Sequence, residues 1–485
     1  MSTKEVGGLI VLFGASGDLA KRELFPALHQ LYKRGELSEK FGIIGTARTD
    51  MNDEAFQDLV RESVEKGENF DGFAEDFFDH CRYKTADLTS LDDFKELHDK
   101  VKAVSNEFSI EEEYVYYYSI APSLYDETTI NLKESGMTDL PGNHRVIVEK
   151  PFGESLKSAE EYHDIFMKVF EEEQVYYMDH FPGMDLIQNV LATRYYNPFI
   201  EAMWNHDYIE NIQISLPENL SIGTRGSFYD ETGALLDMIQ NHLLQILSIV
   251  AMDLPDNLTP EEIQANKLKV LQSIPTYTKE EVEAKVVRGQ YSGDSSGQYK
   301  SYRKEEDVPA GSETETFVAM ELKIDHPRWK GVPFYLRTGK ALMEHFTVID
   351  VILKAPKGTD YEVPNRLSFN VQPTEGLSLV LSQKVPNNEY QPLTTFIGPD
   401  HETLDDYYIA APYENLLHDA LNNDSLHFTT YGQIKEQWRI TDSIVEAWAQ
   451  APAPDFPNYR ANSFGPLEAD QLLAANQHEW IRRVD

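Results

Sequence analysis

Leu9-Ile10-Val11-Leu12-Phe13-Gly14-Ala15-Ser16-Gly17-Asp18-Leu19-Ala20 is the stretch from which the fold is read. Five apolar residues in a row are the signature of a strand buried on both faces of a parallel sheet. They run directly into a glycine turn and then into an amphipathic helix reaching Tyr32. Strand, glycine turn and helix make the context that a dinucleotide fingerprint requires. The glycines let the backbone approach a pyrophosphate, and the helix N-terminus supplies N–H donors and a positive dipole end. The spacing is GxxGxxA and not GxGxxG, so a strand–turn–helix that binds nothing is the competing reading. Gly14, Ser16, Gly17, Asp18 and Leu19 are the candidate cofactor residues of this turn.

Outward from there, Phe41-Gly42-Ile43-Ile44-Gly45 reads as a second buried strand, ending in Thr46-Ala47-Arg48-Thr49. An acidic residue at this place grips the ribose hydroxyls of NAD; a guanidinium suits the 2′-phosphate of NADP. Arg48 and Thr49 therefore point to NADP, with NAD left open. Helices are expected over residues 52–66 and 91–105. Tyr114 to Pro122 and His144 to Val148 read as further strands, the second ending in Glu149-Lys150-Pro151-Phe152-Gly153. A lysine at the carboxyl end of a parallel strand faces the crevice where α/β proteins bind ligands. Gln174 to Phe181 is the next strand-like run. Its Asp179-His180 pair is an acid/base candidate, set against a capped strand end with a solvated histidine. The dinucleotide-binding domain is expected over residues 1–179, joined without a glycine/serine linker to an α+β domain over 180–485.

In that second part the pattern changes to clean alternation, as in Asn211 to Leu216, Thr316 to Ile324, Phe334 to Thr338 and Val348 to Leu353. Alternation marks antiparallel strands with one buried face. The expected fold is an α/β Rossmann-like domain plus an α+β domain with a large, mostly antiparallel sheet. Between those strands lies Thr232 to Met252, TGALLDMIQNHLLQILSIVAM. It is free of proline and apolar nearly all round, so it reads as a buried helix. Asp237, Gln240, Asn241, His242 and Gln245 make its middle too polar for a membrane span. Two readings compete: a core helix with a satisfied polar network, and a helix that carries a catalytic histidine into a cleft.

The totals narrow the function. A chain of 485 residues is too long for one ordinary core. Its net charge of −39 repels nucleic acid and anionic lipid. One cysteine, Cys81, rules out an intrachain disulfide framework and fits a reducing compartment. No signal peptide or membrane span is read in the sequence, and a cytoplasmic location is expected.

Taken together, GASGDLAKR, GTAR, EKPFG, DH, GALLDMIQNH, WKGVPFYLRTGKAL, PYENLLHDA and SFGPLEADQLLAANQHEW resemble the glucose-6-phosphate dehydrogenase family over nearly the whole chain. The resemblance implies NADP-dependent oxidation of a sugar C1 hydroxyl to a lactone, and a homodimer formed through the large sheet. It implies His242 as general base, Asp179 as the carboxylate that orients and charges it, and Lys150 between sugar and cofactor. It implies Glu218, Asp237 and Lys340 as sugar ligands, and Arg48, Thr49 and Ser16 around the adenosine 2′-phosphate. No metal is implied.

The sequence also departs from the family. The stretch usually written DHYLGKE is Asp179-His180-Phe181-Pro182-Gly183-Met184-Asp185 here. A tyrosine hydroxyl and a lysine are thereby lost. Glu23 stands for the third base of AKRK, and His345, preceded by Glu344, stands for a second lysine after the GK pair. His180 and His345 remain as phosphate-side candidates. Each charge-assisted hydrogen bond to a phosphate is worth ~1.5–3 kcal/mol. Two alternatives follow: the same chemistry on a non-phosphorylated or 6-substituted sugar, and a catalytically silent paralogue that binds cofactor or sugar.

Overall fold

The computed structural model describes residues 4–67, 70–356, 364–373, 375–386, 390–398, 408 and 410–483, side chains 185, 186 and 390 excepted. The chain divides into two compact units. The first holds Met1–Met184, Leu258–Gln264 and Ile409–Lys435; the second holds Asp185–Asn257, Ala265–Tyr408 and Glu436–Asp485.

The first unit is built on six strands: β1 (Val6–Phe13), β2 (Leu37–Ala47), β3 (Cys81–Thr85), β4 (Glu113–Tyr118), β5 (Asn143–Glu149) and β6 (Val175–Met178). Their order is β3-β2-β1-β4-β5-β6 and every pair is parallel. The order reverses between β1 and β4, the place where open parallel sheets bind ligands at their carboxyl ends. The apolar run of β1 is buried throughout Leu9–Phe13, as two-sided cover demands. Tyr116, Tyr117 and Tyr118 of β4 are fully buried as packing residues.

The helix after β1 begins with π turns over Ala20–Leu24 and continues as α-helix over Phe25–Lys33. One face of the sheet is closed by residues from both ends of the chain. Leu416, Leu417, Ala420 and Leu421 of the helix Pro412–Leu421 share one core with Ile10, Leu12, Tyr117 and Ile147. Arg145 donates to the Ala420 carbonyl, and Arg34 is paired with Glu414.

The second unit adds β7 (Ile209–Pro217), β8 (Val286–Gly289), β9 (Tyr291–Ser292), β10 (Phe317–Leu322), β11 (Phe334–Gly339), β12 (Thr347–Leu353), β13 (Arg366–Gln372), β14 (Gly376–Lys384), β15 (Tyr390–Ile397) and β16 (Tyr459–Arg460). Eight of them form a sheet ordered β15-β14-β13-β12-β7-β11-β10-β8, and β9 pairs with β16. The large sheet is antiparallel except where β7 and β11 run parallel. That parallel pair brings two strand ends, at Pro217 and Gly339, to the same edge.

The apolar helix is present and buried, but it is not uniform. It reads α over Gly226–Ala234, π over Leu235–Leu243 and α over Leu244–Ala251. Gly233, with φ 63° and ψ 178°, breaks it before the π turns. Leu243, Leu244, Ile246 and Leu247 are fully buried, each worth ~1.5–3 kcal/mol of transfer free energy. Residues 226–251 are long and apolar enough to cross a membrane, yet 89 % of the most apolar window is buried within the protein.

Candidate active site

In the first unit the expected cofactor residues gather at the carboxyl edge of the parallel sheet. Gly14 to Leu19 follow β1, and Arg48 and Thr49 follow β2. Thr49 Oγ1 donates to Ser16 Oγ at 3.2 Å, so the two hydroxyls form one polar corner beside the Arg48 segment. A guanidinium with two hydroxyls is a donor set that fits a 2′-phosphate. Asp18 is exposed and paired with Arg22 at 3.0 Å. Gly14 has φ 85°, and a Cβ there would lie 2.0 Å from the Ser119 carbonyl oxygen at the end of β4. The protein's own strand packing therefore requires this glycine.

Lys150 follows β5, and Asp179 and His180 follow β6. Asp179 is buried, and its Oδ1 accepts the Phe181 N–H at 3.1 Å, closing the turn after the strand. Phe181 is 7 % exposed, with its ring 4.9 Å from that of His180. Gly183 is wedged against Leu416, and its carbonyl accepts from Asn415 Nδ2 at 2.9 Å. The turn is fixed by packing on the helix Pro412–Leu421, with Met184 at its end half-buried. The side chain of Asp185 lies outside the described residues.

Sequence reasoning missed a group beside these residues. Glu149, at the last position of β5, accepts hydrogen bonds from the Tyr117 and Tyr413 hydroxyls. Burial pushes its carboxyl up to about 7; the two tyrosines and Lys150 pull down, and Asp179 pushes up. Glu23 also bears on both tyrosines. The signal was in the motif EKPFG, but the two tyrosines come from distant segments. Glu23 and Tyr413 also line a cleft of about 740 Å³ that includes neither Lys150, Asp179 nor His180.

In the second unit, Glu218 follows β7 and Lys340 follows β11, at the ends of the parallel pair. The Glu218 N–H donates to the Gly339 carbonyl at 2.9 Å, and the Lys340 ammonium is paired with the Glu218 carboxylate. Lys340 is 4 % exposed. Asp237, half-buried, and His242, 1 % exposed, ride on the π turns. Nine residues of π-helix are rare, and such turns favour functional sites. Asn241 Oδ1 and Gln240 Nε2 on the same turns are buried without a hydrogen-bond partner among the described residues. The reading of this helix as a core element with a satisfied polar network is therefore not met at these two atoms among the described residues.

Tyr229 is a second residue that the sequence did not reveal. Lys340 Nζ lies 5.9 Å from its ring, and burial, then Asp237, Glu315 and Glu218 push its hydroxyl well up. That hydroxyl is buried and has no hydrogen-bond partner among the described residues. His345, by contrast, is exposed, between buried Glu344 and Phe346. Glu344 is buried in an ion pair of its own. Arg337 Nη2 lies 3.0 Å from its Oε2, and the Arg483 N–H donates to its Oε1 at 2.8 Å.

Comparison with known proteins accounts for both units. Residues 11–189 match the family described as "Glucose-6-phosphate dehydrogenase, NAD binding domain", and residues 191–481 match "Glucose-6-phosphate dehydrogenase, C-terminal domain". The glucose-6-phosphate 1-dehydrogenase of Leuconostoc mesenteroides is 36 % identical over 98 % of this chain and 99 % of its own. That of Streptococcus pneumoniae is 37 % identical over 100 % and 98 %. A solved glucose-6-phosphate dehydrogenase in complex with glucose 6-phosphate superposes with a TM-score of 0.91 at 30 % identity, covering 99 % of this chain and 100 % of that one. The enzyme from Mycobacterium avium gives 0.81 at 31 % identity, covering 98 % and 99 %. With family domains matched over residues 11–189 and 191–481 and relatives at this identity over nearly the full length, the chain belongs to the glucose-6-phosphate dehydrogenase family.

Proposed function

We propose that this chain oxidises the C1 hydroxyl of a hexose to the lactone, with glucose 6-phosphate, the substrate named for its relatives, as the first substrate to test. The chain is a dehydrogenase acting on CH–OH groups, of a family that uses NADP. NADP, when bound, accepts the hydride released from C1. His242 takes the C1 hydroxyl proton, and Asp179 keeps that imidazole basic and oriented, which is what a general base working near neutral pH needs. Lys150 holds the reacting groups together. Glu218, Asp237 and Lys340 fix the sugar hydroxyls. Ser16, Arg48 and Thr49 hold the 2′-phosphate, and the Gly14–Leu19 turn faces the pyrophosphate. The observation that carries this reading is that Lys150, Asp179 and His242 are all retained, each at a strand end or on a buried helix.

A second reading, that the sugar carries no 6-phosphate, is favoured by Phe181, Met184, Glu23 and His345 standing where cations or a hydroxyl are expected. It is favoured also by Lys340 being paired with Glu218. One experiment separates the readings: NADP reduction with glucose 6-phosphate, glucose and 6-substituted glucoses, for wild type and His242→Ala. Turnover of any of these should fall by about 10²–10⁴-fold in His242→Ala. Preference for glucose 6-phosphate sinks the second reading. Binding without turnover of any sugar sinks both and leaves a silent paralogue.

A cytoplasmic location fits the composition and the relatives. A homodimer fits the family and the exposed apolar residues of β14 and β15: Leu381, Leu393, Phe396 and Ile397.

A further inference from the structure

We propose that Glu315 is a positioning residue: it holds the start of the helix that carries Asp237 and His242 in register with the strand end that carries Lys340. The inference rests on the function proposed above for those three residues. Helix N-termini expose backbone N–H groups with no partner inside the helix. A π-helix, bonded one residue further along than an α-helix, exposes one more. Here the Ala234 N–H donates to the Glu315 carbonyl at 3.0 Å, and the Leu235 N–H donates to Glu315 Oε1 at 2.9 Å. One residue thus takes two consecutive donors, with its main chain and its side chain. A carboxylate there also complements the positive end of the helix dipole.

The neighbouring glycine makes this arrangement specific. At Gly233 a Cβ would lie 2.4 Å from Glu315 Oε1, so a side chain there and the capping carboxylate cannot coexist. The next residue extends the link. The Lys340 N–H donates to the Thr316 carbonyl at 2.9 Å, and the Thr316 N–H donates to the Gly289 carbonyl at 2.7 Å. The Tyr459 hydroxyl donates to the Lys340 carbonyl at 2.8 Å and shares a hydrogen bond with Thr316 Oγ1, also at 2.8 Å. Two adjacent residues therefore fasten the helix, Lys340 and, through its ion pair, Glu218.

The charged and titratable groups facing Glu315 are Arg288 on β8, Tyr229 on the preceding helix, and Tyr302. Burial holds the carboxyl up at about 7, with the Leu235 N–H and Arg288 opposing. The charged form that caps best is lost as the pH falls through neutrality.

The test uses full-length Glu315→Ala, Glu315→Gln and Gly233→Ala. In Glu315→Ala, kcat should fall at least tenfold while the Kd for NADP, held by residues of the first unit, stays within twofold. Glu315→Gln keeps an acceptor oxygen for Leu235 and should recover most of kcat. Its acid limb in log kcat against pH should have one ionisation fewer than wild type. Gly233→Ala should resemble Glu315→Ala. Amide hydrogen exchange across residues 235–241 should speed up in both alanine variants and not in Glu315→Gln. This last readout is independent of turnover, so it tests the anchor even if no hexose proves to be a substrate. Wild-type exchange in Glu315→Ala, or a loss of kcat that glutamine does not recover, overturns the proposal.

Discussion

Glu149 and Glu344 show how differently two buried carboxyls behave. Glu149 has tyrosine hydroxyls as its donors, and its carboxyl lies at about 7 against 4.5 when unfolded. A raised carboxyl favours the protonated folded state. Its contribution to stability is fully present below about 4.5 and is lost as the pH rises through 7. Glu149→Gln, which cannot ionise, should therefore gain in Tm relative to wild type between about pH 5 and about pH 8. A Tm difference that stays constant across that range refutes the assignment. Glu344, in contrast, is held at 3.0 Å by Arg337, which also donates to Ser215 Oγ. Glu344→Gln strands a buried guanidinium and should cost ~3–5 kcal/mol in denaturant unfolding. The apolar pair Arg337→Met with Glu344→Leu should restore most of it, because the ions offset their own desolvation poorly.

Among the elements, the helix Pro412–Leu421 shows what chain order conceals. PYENLLHDA is legible as a helix with an apolar face, and as a family motif. Its place is decided by the first unit, where Leu416 and Leu417 are buried in the β1 and β4 core. Leu417→Ala should cost ~2–5 kcal/mol through the cavity left behind. Limited proteolysis should find cuts within residues 4–184 before cuts within residues 265–356. Equal or reversed susceptibility would mean that this helix does not support the first unit. The helix around His242 is the converse case. Its apolar pattern predicts burial, and burial is found. Its π turns are absent from any periodicity, and its anchor at Glu315 is an acceptor supplied 80 residues later.

For the whole molecule, a charge of −39 sets the terms of assembly. Two copies repel at long range, and salt screens that repulsion over about 10 Å at 0.1 M. Leu381, Leu393 and Ile397, exposed on one face of β14 and β15, offer the compensating contact, since apolar patches mark association surfaces. Analytical ultracentrifugation should find a dimer whose dissociation weakens as salt rises. Leu393→Asp with Ile397→Glu should give a monomer with a folded circular dichroism spectrum. A dimer unaffected by these changes would place the interface elsewhere.

The sequence by itself determined the fold class. The unbroken apolar run of Leu9–Phe13 predicts a strand covered on both faces, and it is one; the alternation read in Val348–Leu353 predicts a single buried face, whereas Val348 to Ile352 are all buried because that strand lies inside the eight-stranded sheet with cover on both sides. It also carried the family motifs, and with them the candidate residues, because those are contiguous. Tertiary structure alone decided what surrounds them. Glu344, next to His345 in sequence, turns inward to Arg337. Glu149 meets Tyr413 across more than 260 positions of chain, and Tyr229 is set among Asp237, Glu218 and Lys340. Periodicity reports that an element has an apolar face to bury, whereas the cover on its other face, and charge, proton affinity and anchoring, depend on which distant groups fold against it.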